Sequence, residues 1–162
     1  MNTPVSFELA KLLKEKGFSW ECSHFYCKSK YYKKFYLTTG TEYESDRDCI
    51  WDWNLNGGKS GNLTKTIPYP NDTNAIYYSA PTIIEVVMWL YEKHGIWISV
   101  SPVFEFNDGR KDYLTLQGYQ YYITVITDNK YNQEKTHADR GYKNTPTEAY
   151  EAAIEYTLKN LL

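Results

Sequence analysis

The segment from Tyr26 to Tyr36, YCKSKYYKKFY, combines aromatic rings with ammonium groups. Aromatic faces stack on nucleobases and lysines neutralise phosphates, so this combination suits a nucleotide or a single strand. The pattern predicts either two short strands, at about residues 21–27 and 33–38, or one long strand. Because side chains alternate along a strand, the long strand would place six of them on one face: Tyr26, Lys28, Lys30, Tyr32, Lys34 and Tyr36.

Two tryptophans in a short apolar patch, near residue 50, add stacking surfaces to this segment. The predicted ligand-binding residues are Tyr26, Lys28, Lys30, Tyr32, Tyr36, Trp51 and Trp53. The alternative is an exposed hairpin whose lysines protect the edge of a sheet from pairing with another strand. The two interpretations differ in whether the lysines contact a ligand or only water.

Cys22, His24 and Cys27, with Cys49 further along the chain, have the side chains of a structural zinc site. Their spacing is not that of a zinc finger. Strand alternation would direct Cys22 and His24 to one face and Cys27 to the other. We therefore predict buried or half-buried thiols and no metal.

Catalytic motifs are also missing from the sequence. The glycine-rich run at 57–61 would be a phosphate-binding loop only if a glycine stood where Trp53 stands. His24, His94 and His137 have no adjacent nucleophile or converging carboxylates. We predict no catalytic residue and no cofactor, with His94 partly positive at a helix C-terminus.

Three helices are indicated by their capping residues. Thr3 and Pro4 predict the first, over residues 3–16. Thr82 and Glu85 form a capping box for the second, which Gly95 ends. The third opens at about residue 145, again with a capping box and with proline at N1.

The central helix and its neighbours set the expected core. Met88 and Trp89 widen the apolar stripe of the second helix, so we expect it to be covered on most sides. Leu90 and Ile154 stand at the centres of their helical stripes and should be buried. With strands placed between the helices, the order is α-ββ-β-α-ββ-α. This order predicts one α+β domain over residues 1–162, an antiparallel sheet with helices on one face, and an irregular insert at about 39–75.

Composition limits the classes of function. The net charge is −2 and the isoelectric point about 5.9, so no bulk attraction to nucleic acid is expected. Three cysteines suggest a reducing compartment, and no targeting or membrane-spanning segment is visible, which predicts a cytoplasmic protein without membrane contact. The 17 tyrosines and 5 tryptophans favour interfaces, so we also expect a homodimer.

Three stretches carry a resemblance: NTPVSFELAKLLKEKGF, APTIIEVVMWLYEKHGIWISV and TPTEAYEAAIEYTLKNLL. Together they resemble a group of small uncharacterised proteins encoded by Bacteroidetes phages, prophages and mobile elements. The resemblance covers about a third of the chain, implies action inside a bacterial cell and supplies no functional residues.

The expected function is a non-catalytic binding or accessory protein that acts on a host or phage protein, including host defence. The alternative is sequestration of a nucleotide-type ligand, such as a defence signal, in a pocket lined by aromatic residues and lysines.

Overall fold

A computed structural model describes residues 2–28, 34–39, 76–106, 114–127, 130–132 and 142–162. The chain divides into two compact units, an N-terminal unit over Asn2–Thr82 and a C-terminal unit over Ile83–Leu162. The predicted α+β class and order of elements are confirmed. The prediction of a single domain stays a prediction, and residues 40–75 of the expected insert lie outside the described residues. Among the described helices, none is both long and apolar enough to cross a bilayer.

The N-terminal unit consists of one helix and one sheet. Its elements are α1 (Phe7–Glu15), β1 (His24–Lys28), β2 (Tyr36–Thr39) and β3 (Ile76–Ser79). The three strands are antiparallel in the order β2-β1-β3. The central strand β1 therefore pairs with both of its neighbours.

Helix α1 starts later than its sequence predicts, at Phe7 with Ser6 as the N-cap. The prediction of a start near Thr3 is wrong because the preceding residues pair with another segment. Val5 N–H donates to the Pro81 carbonyl at 2.9 Å, and Pro4 forms an antiparallel bridge with Thr82. These extended contacts compete with the local preference of a proline at N1 for helix.

The C-terminal end of α1 is a Schellman motif, as the glycine predicts. Phe18 N–H donates to the Leu13 carbonyl at 2.9 Å, and Gly17 N–H donates to the Lys14 carbonyl at 3.2 Å. Gly17 has a φ of 79° and so supplies the left-handed residue that this motif needs.

The C-terminal unit places two helices against a second antiparallel sheet. Its elements are α2 (Ile83–His94), β4 (Ile96–Phe106), β5 (Leu114–Thr127), β6 (Lys130–Asn132) and α3 (Pro146–Asn160). The strand order is β4-β5-β6. The six described strands thus belong to two separate sheets of three strands each.

The predicted C-terminal end of α2 and the predicted start of α3 are confirmed. Gly95, with a φ of 63°, separates α2 from β4, and its N–H donates to the Tyr91 carbonyl at 3.0 Å. At the start of α3 the Thr145 hydroxyl accepts from Glu148 N–H at 3.2 Å. The Glu148 carboxylate reaches back to accept from Asn144 N–H at 3.0 Å.

The core of the C-terminal unit lies on one face of its sheet. Ile98 pairs with Ile123 in register, and both side chains are buried, as are Leu90 of α2 and Ile154 of α3. Helix α2 contacts β4, and α3 contacts both β4 and β5. The predicted burial of Leu90 and Ile154 is confirmed.

Candidate functional site

The predicted Tyr/Lys face does not form as a single strand. The chain makes two strands, and in their register Tyr26 pairs with Leu37 whereas Tyr36 pairs with Cys27. Since neighbours along a strand point to opposite faces, Tyr26 and Tyr36 lie on opposite faces of the sheet. The predicted site residues Lys30, Tyr32, Trp51 and Trp53 lie outside the described residues.

Tyr26 instead belongs to a group of half-buried rings that α1 and the sheet bring together. Phe7 of α1 stacks on Phe35 with ring centroids 4.5 Å apart. Tyr26 and Tyr78 each form an edge-to-face contact with Phe7, at ring-centroid distances of 5.2 Å and 5.6 Å. Phe35 and Tyr78 are themselves 5.4 Å apart. Four aromatic side chains, distant in sequence, thus form one cluster.

Three lysines place their ammonium groups over these rings. Lys11 Nζ is 5.8 Å from the centroid of Phe7, and Lys14 Nζ is 4.8 Å from that of Tyr78. Lys28 Nζ lies 5.6 Å from the centroid of Phe35. We call these seven residues the aromatic–lysine cluster: Phe7, Lys11, Lys14, Tyr26, Lys28, Phe35 and Tyr78.

Hydrogen bonds hold two members of the aromatic–lysine cluster in place. The Tyr26 hydroxyl donates to the Val5 carbonyl at 3.0 Å, and Lys14 Nζ donates to the Tyr77 carbonyl at 3.0 Å. Of the predicted residues, only Tyr26 and Lys28 belong to this cluster. Phe7, Lys11 and Lys14 could have been found from their i, i+4, i+7 spacing on one helix face, but not their contact with Phe35 and Tyr78.

Tyr36 packs against a buried group on the opposite face of the sheet. That group contains Cys22, Phe25, Cys27 and Tyr77. The prediction that alternation separates Cys22 from Cys27 is wrong, because β1 begins only at His24. Both thiols are buried, and Cys22 Sγ donates to the His24 carbonyl at 3.2 Å. Among the described residues, no group of three or more potential metal ligands is found.

A different kind of surface lies on the C-terminal unit, between α2 and β4. An almost wholly apolar cavity of about 140 Å³ opens there. We call it the α2–β4 pocket; its lining residues are Ile83, Ile84, Val87, Met88, Trp97, Ile98 and Tyr150.

The rim of the α2–β4 pocket is apolar and exposed to solvent. Ile84 is 47% exposed and Trp97 41% exposed. Tyr91, 44% exposed, meets the Trp97 ring edge-on at a centroid distance of 5.7 Å. The sequence predicts α2 to be covered on most sides, but this flank of the helix is open to water.

His94 ends α2 and packs edge-on against Trp89 at a centroid distance of 4.8 Å. Desolvation lowers the pKa of His94 below its usual value of 6.5, and the positive charge of Lys93 lowers it further. The expectation of a partly positive imidazole, based on the helix dipole, is therefore wrong. The lowered pKa favours the neutral form of the His94 ring at neutral pH.

No protein-family model, curated protein or solved structure matches this chain. The fold is that of an α+β protein with two surface features of different chemistry, one basic and aromatic and one apolar.

Proposed function

We propose that the chain is a non-catalytic binding protein of a phage or mobile element that acts in the bacterial cytoplasm. Its α2–β4 pocket takes an apolar side chain from a partner protein of the host or the phage. The observation that carries the proposal is an apolar cavity lined by the exposed residues Ile84 and Trp97, with exposed Tyr91 against Trp97. The resemblance of three stretches to proteins of phages and mobile elements supports the cellular setting.

The size and chemistry of the α2–β4 pocket match an anchor side chain. An apolar cavity of roughly 150 Å³ holds a group the size of benzene. The pocket, at about 140 Å³, is therefore of the size that a single leucine or phenylalanine side chain fills. Tryptophan and tyrosine are also the side chains most often found at the energetic centres of interfaces.

The position of the rim also favours a functional role over chance exposure. Ile84, Met88 and Tyr91 repeat at i, i+4 and i+7, so they form one stripe on α2. Trp97 extends this stripe onto β4, since its ring touches that of Tyr91. Single exposed apolar residues are common on protein surfaces, but a contiguous group around a cavity marks an interaction site.

Site-specific photo-crosslinking in the bacterial host tests this proposal. A photoreactive residue replaces Tyr91, whose ring meets that of the pocket residue Trp97, in one version of the protein. In the other version it replaces Tyr142, an exposed aromatic residue that belongs neither to the pocket lining nor to its rim. We expect a discrete crosslinked partner only from position 91. A crosslink to a second copy of the chain would instead show that the pocket mediates self-association and does not bind a different protein.

The partner is then purified and its affinity measured against variants. We expect Trp97→Ala to weaken binding tenfold or more, because about 1.4 kcal/mol corresponds to a factor of ten. Tyr142→Ala should bind as the wild type does. Equal affinities of the wild type and Trp97→Ala would contradict a role of the pocket in partner binding.

A further inference from the structure

We propose that the aromatic–lysine cluster of the N-terminal unit is a binding site for a phosphate-bearing nucleotide, either free or within a single strand. This site is independent of the α2–β4 pocket and uses different residues. It also differs from the site predicted from sequence, because α1 and β3 supply most of its side chains.

The geometry of α1 directs two of the lysines to one place. Phe7, Lys11 and Lys14 repeat at i, i+4 and i+7, so all three lie on one face of the helix. This face meets Phe35 and Tyr78, where Lys28 adds a third ammonium group from β1. The three ammonium groups each lie within 5.8 Å of a ring in one cluster.

The local charge is opposite to that of the whole chain, whose net charge is −2. A phosphate bound at the cluster would be attracted by all three ammonium groups. Glu8 offsets part of the charge, with its carboxylate 3.4 Å from Lys11 Nζ. This pair reaches solvent, so it contributes little to stability and can be exchanged for a phosphate contact.

The rings supply the second half of nucleotide recognition. A base stacked on an aromatic side chain contributes about 1–3 kcal/mol, whichever base it is. The ammonium groups now lie over the ring faces, held there by cation–π attraction of about 0.5–1 kcal/mol at exposed sites. A phosphate that draws Lys11 or Lys28 outwards therefore uncovers a ring face against which a base can stack.

The anchoring of the cluster limits the reorganisation that binding requires. Tyr26 and Lys14 are hydrogen-bonded to the backbone carbonyls of Val5 and Tyr77. Phe7 contacts three other rings. A site whose side chains are already held in position loses less conformational entropy when a ligand binds.

Calorimetric titration with ADP and with an oligothymidylate of about eight nucleotides tests the proposal, the length being a typical site size. Adenosine serves as the control without phosphate. We expect the protein to bind at least one of the two phosphate-bearing probes and to bind adenosine more weakly. Affinity should fall as salt rises from about 50 to about 200 mM. Binding of ADP alone would assign the free nucleotide, and binding of the oligonucleotide alone would assign the single strand.

Two double variants with the same change in charge separate the site from bulk electrostatics. Lys11→Gln with Lys28→Gln removes two site lysines, whereas Lys93→Gln with Lys159→Gln removes two exposed lysines of the C-terminal unit. We expect the first to weaken binding tenfold or more and the second to leave it unchanged. Equal affinity of the two double variants, or no heat with either phosphate-bearing probe, would overturn the proposal.

Chemical footprinting tests the same site in the wild-type protein, so its result does not depend on whether a variant folds. Lysines are acetylated with and without the binding probe, and the modified positions are read by mass spectrometry. Lys11 and Lys28 should be protected by the probe, and Lys93 should not. Protection that is equal at Lys28 and Lys93 would count against this site.

Discussion

Gly95 and Gly17 both have positive φ angles just after a helix, but their surroundings differ. A Cβ at Gly95 would lie 2.8 Å from the Ile126 carbonyl oxygen, whereas a Cβ at Gly17 would meet nothing within 4 Å. Gly17→Ala should cost about 1 kcal/mol for the left-handed conformation alone. Gly95→Ala adds a steric clash of about 1–3 kcal/mol to that cost. Urea denaturation of both variants checks this order, and equal losses would contradict it.

His94 makes stability depend on pH in a defined direction. Because its folded pKa lies below 6.5, the native state binds fewer protons than the unfolded chain. The contribution of the neutral ring to stability is complete above pH 6.5 and declines as the pH falls through the folded pKa. We expect the thermal midpoint of the wild type to fall more than that of His94→Gln between about pH 7.5 and about pH 5.5. His24 and His137 are present in both proteins, so their effects cancel when the two thermal midpoints are compared. Parallel pH profiles of the two midpoints would contradict a role of His94.

At the scale of elements, helix α2 carries both a buried residue that stabilises the fold and an exposed residue at the pocket. Leu90 is fully buried, so Leu90→Ala should cost about 2–5 kcal/mol. Ile84 is on the same helix but 47% exposed, so Ile84→Ala should cost less than about 1 kcal/mol. Chemical denaturation of the two variants measures both effects. An unchanged midpoint for Leu90→Ala would show that α2 is not packed as described.

The helix boundaries show which features a sequence can predict. The ends at Gly17 and Gly95 and the start of α3 depend on residues within one turn, so local capping patterns are sufficient. The start of α1 depends on pairing between Val5 and Pro81, which are distant in the sequence. Local preference carries no information about such a contact.

The candidate site shows the same limit. The Tyr/Lys segment contributes Tyr26, Lys28 and Phe35 to the aromatic–lysine cluster, and the first two were predicted as site residues. Whether Tyr26 and Tyr36 share a face depends on where the chain reverses, and alternation within a strand does not determine this position. The other rings of the cluster come from α1, from Phe35 just before β2 and from β3, and tertiary packing that no spacing rule reveals brings them together.

At the scale of the whole molecule, the distal end of the β4–β5 hairpin carries exposed apolar side chains. Phe104 pairs with Leu116 in register, so both lie on one face, and Leu114 follows two residues away on the same face. Their exposed fractions are 51%, 45% and 56%. This end lies beyond a shift in register between Val103 and Phe104, and such a β-bulge bends and twists a ribbon.

We predict that two copies of the chain associate through this hairpin face. Burying apolar side chains of this size is favourable by about 25 cal/mol per Å² of surface removed from water, which provides the driving force for a homodimer. Light scattering at micromolar concentration should give the mass of two chains for the wild type and of one chain for Leu116→Asp, because an unpaired carboxylate in an apolar interface is costly. Trp97→Asp is the matched control, since it introduces the same charge at the rim of the α2–β4 pocket. A monomeric wild type would contradict self-association, and dissociation by Trp97→Asp alone would move the interface from the hairpin to the pocket.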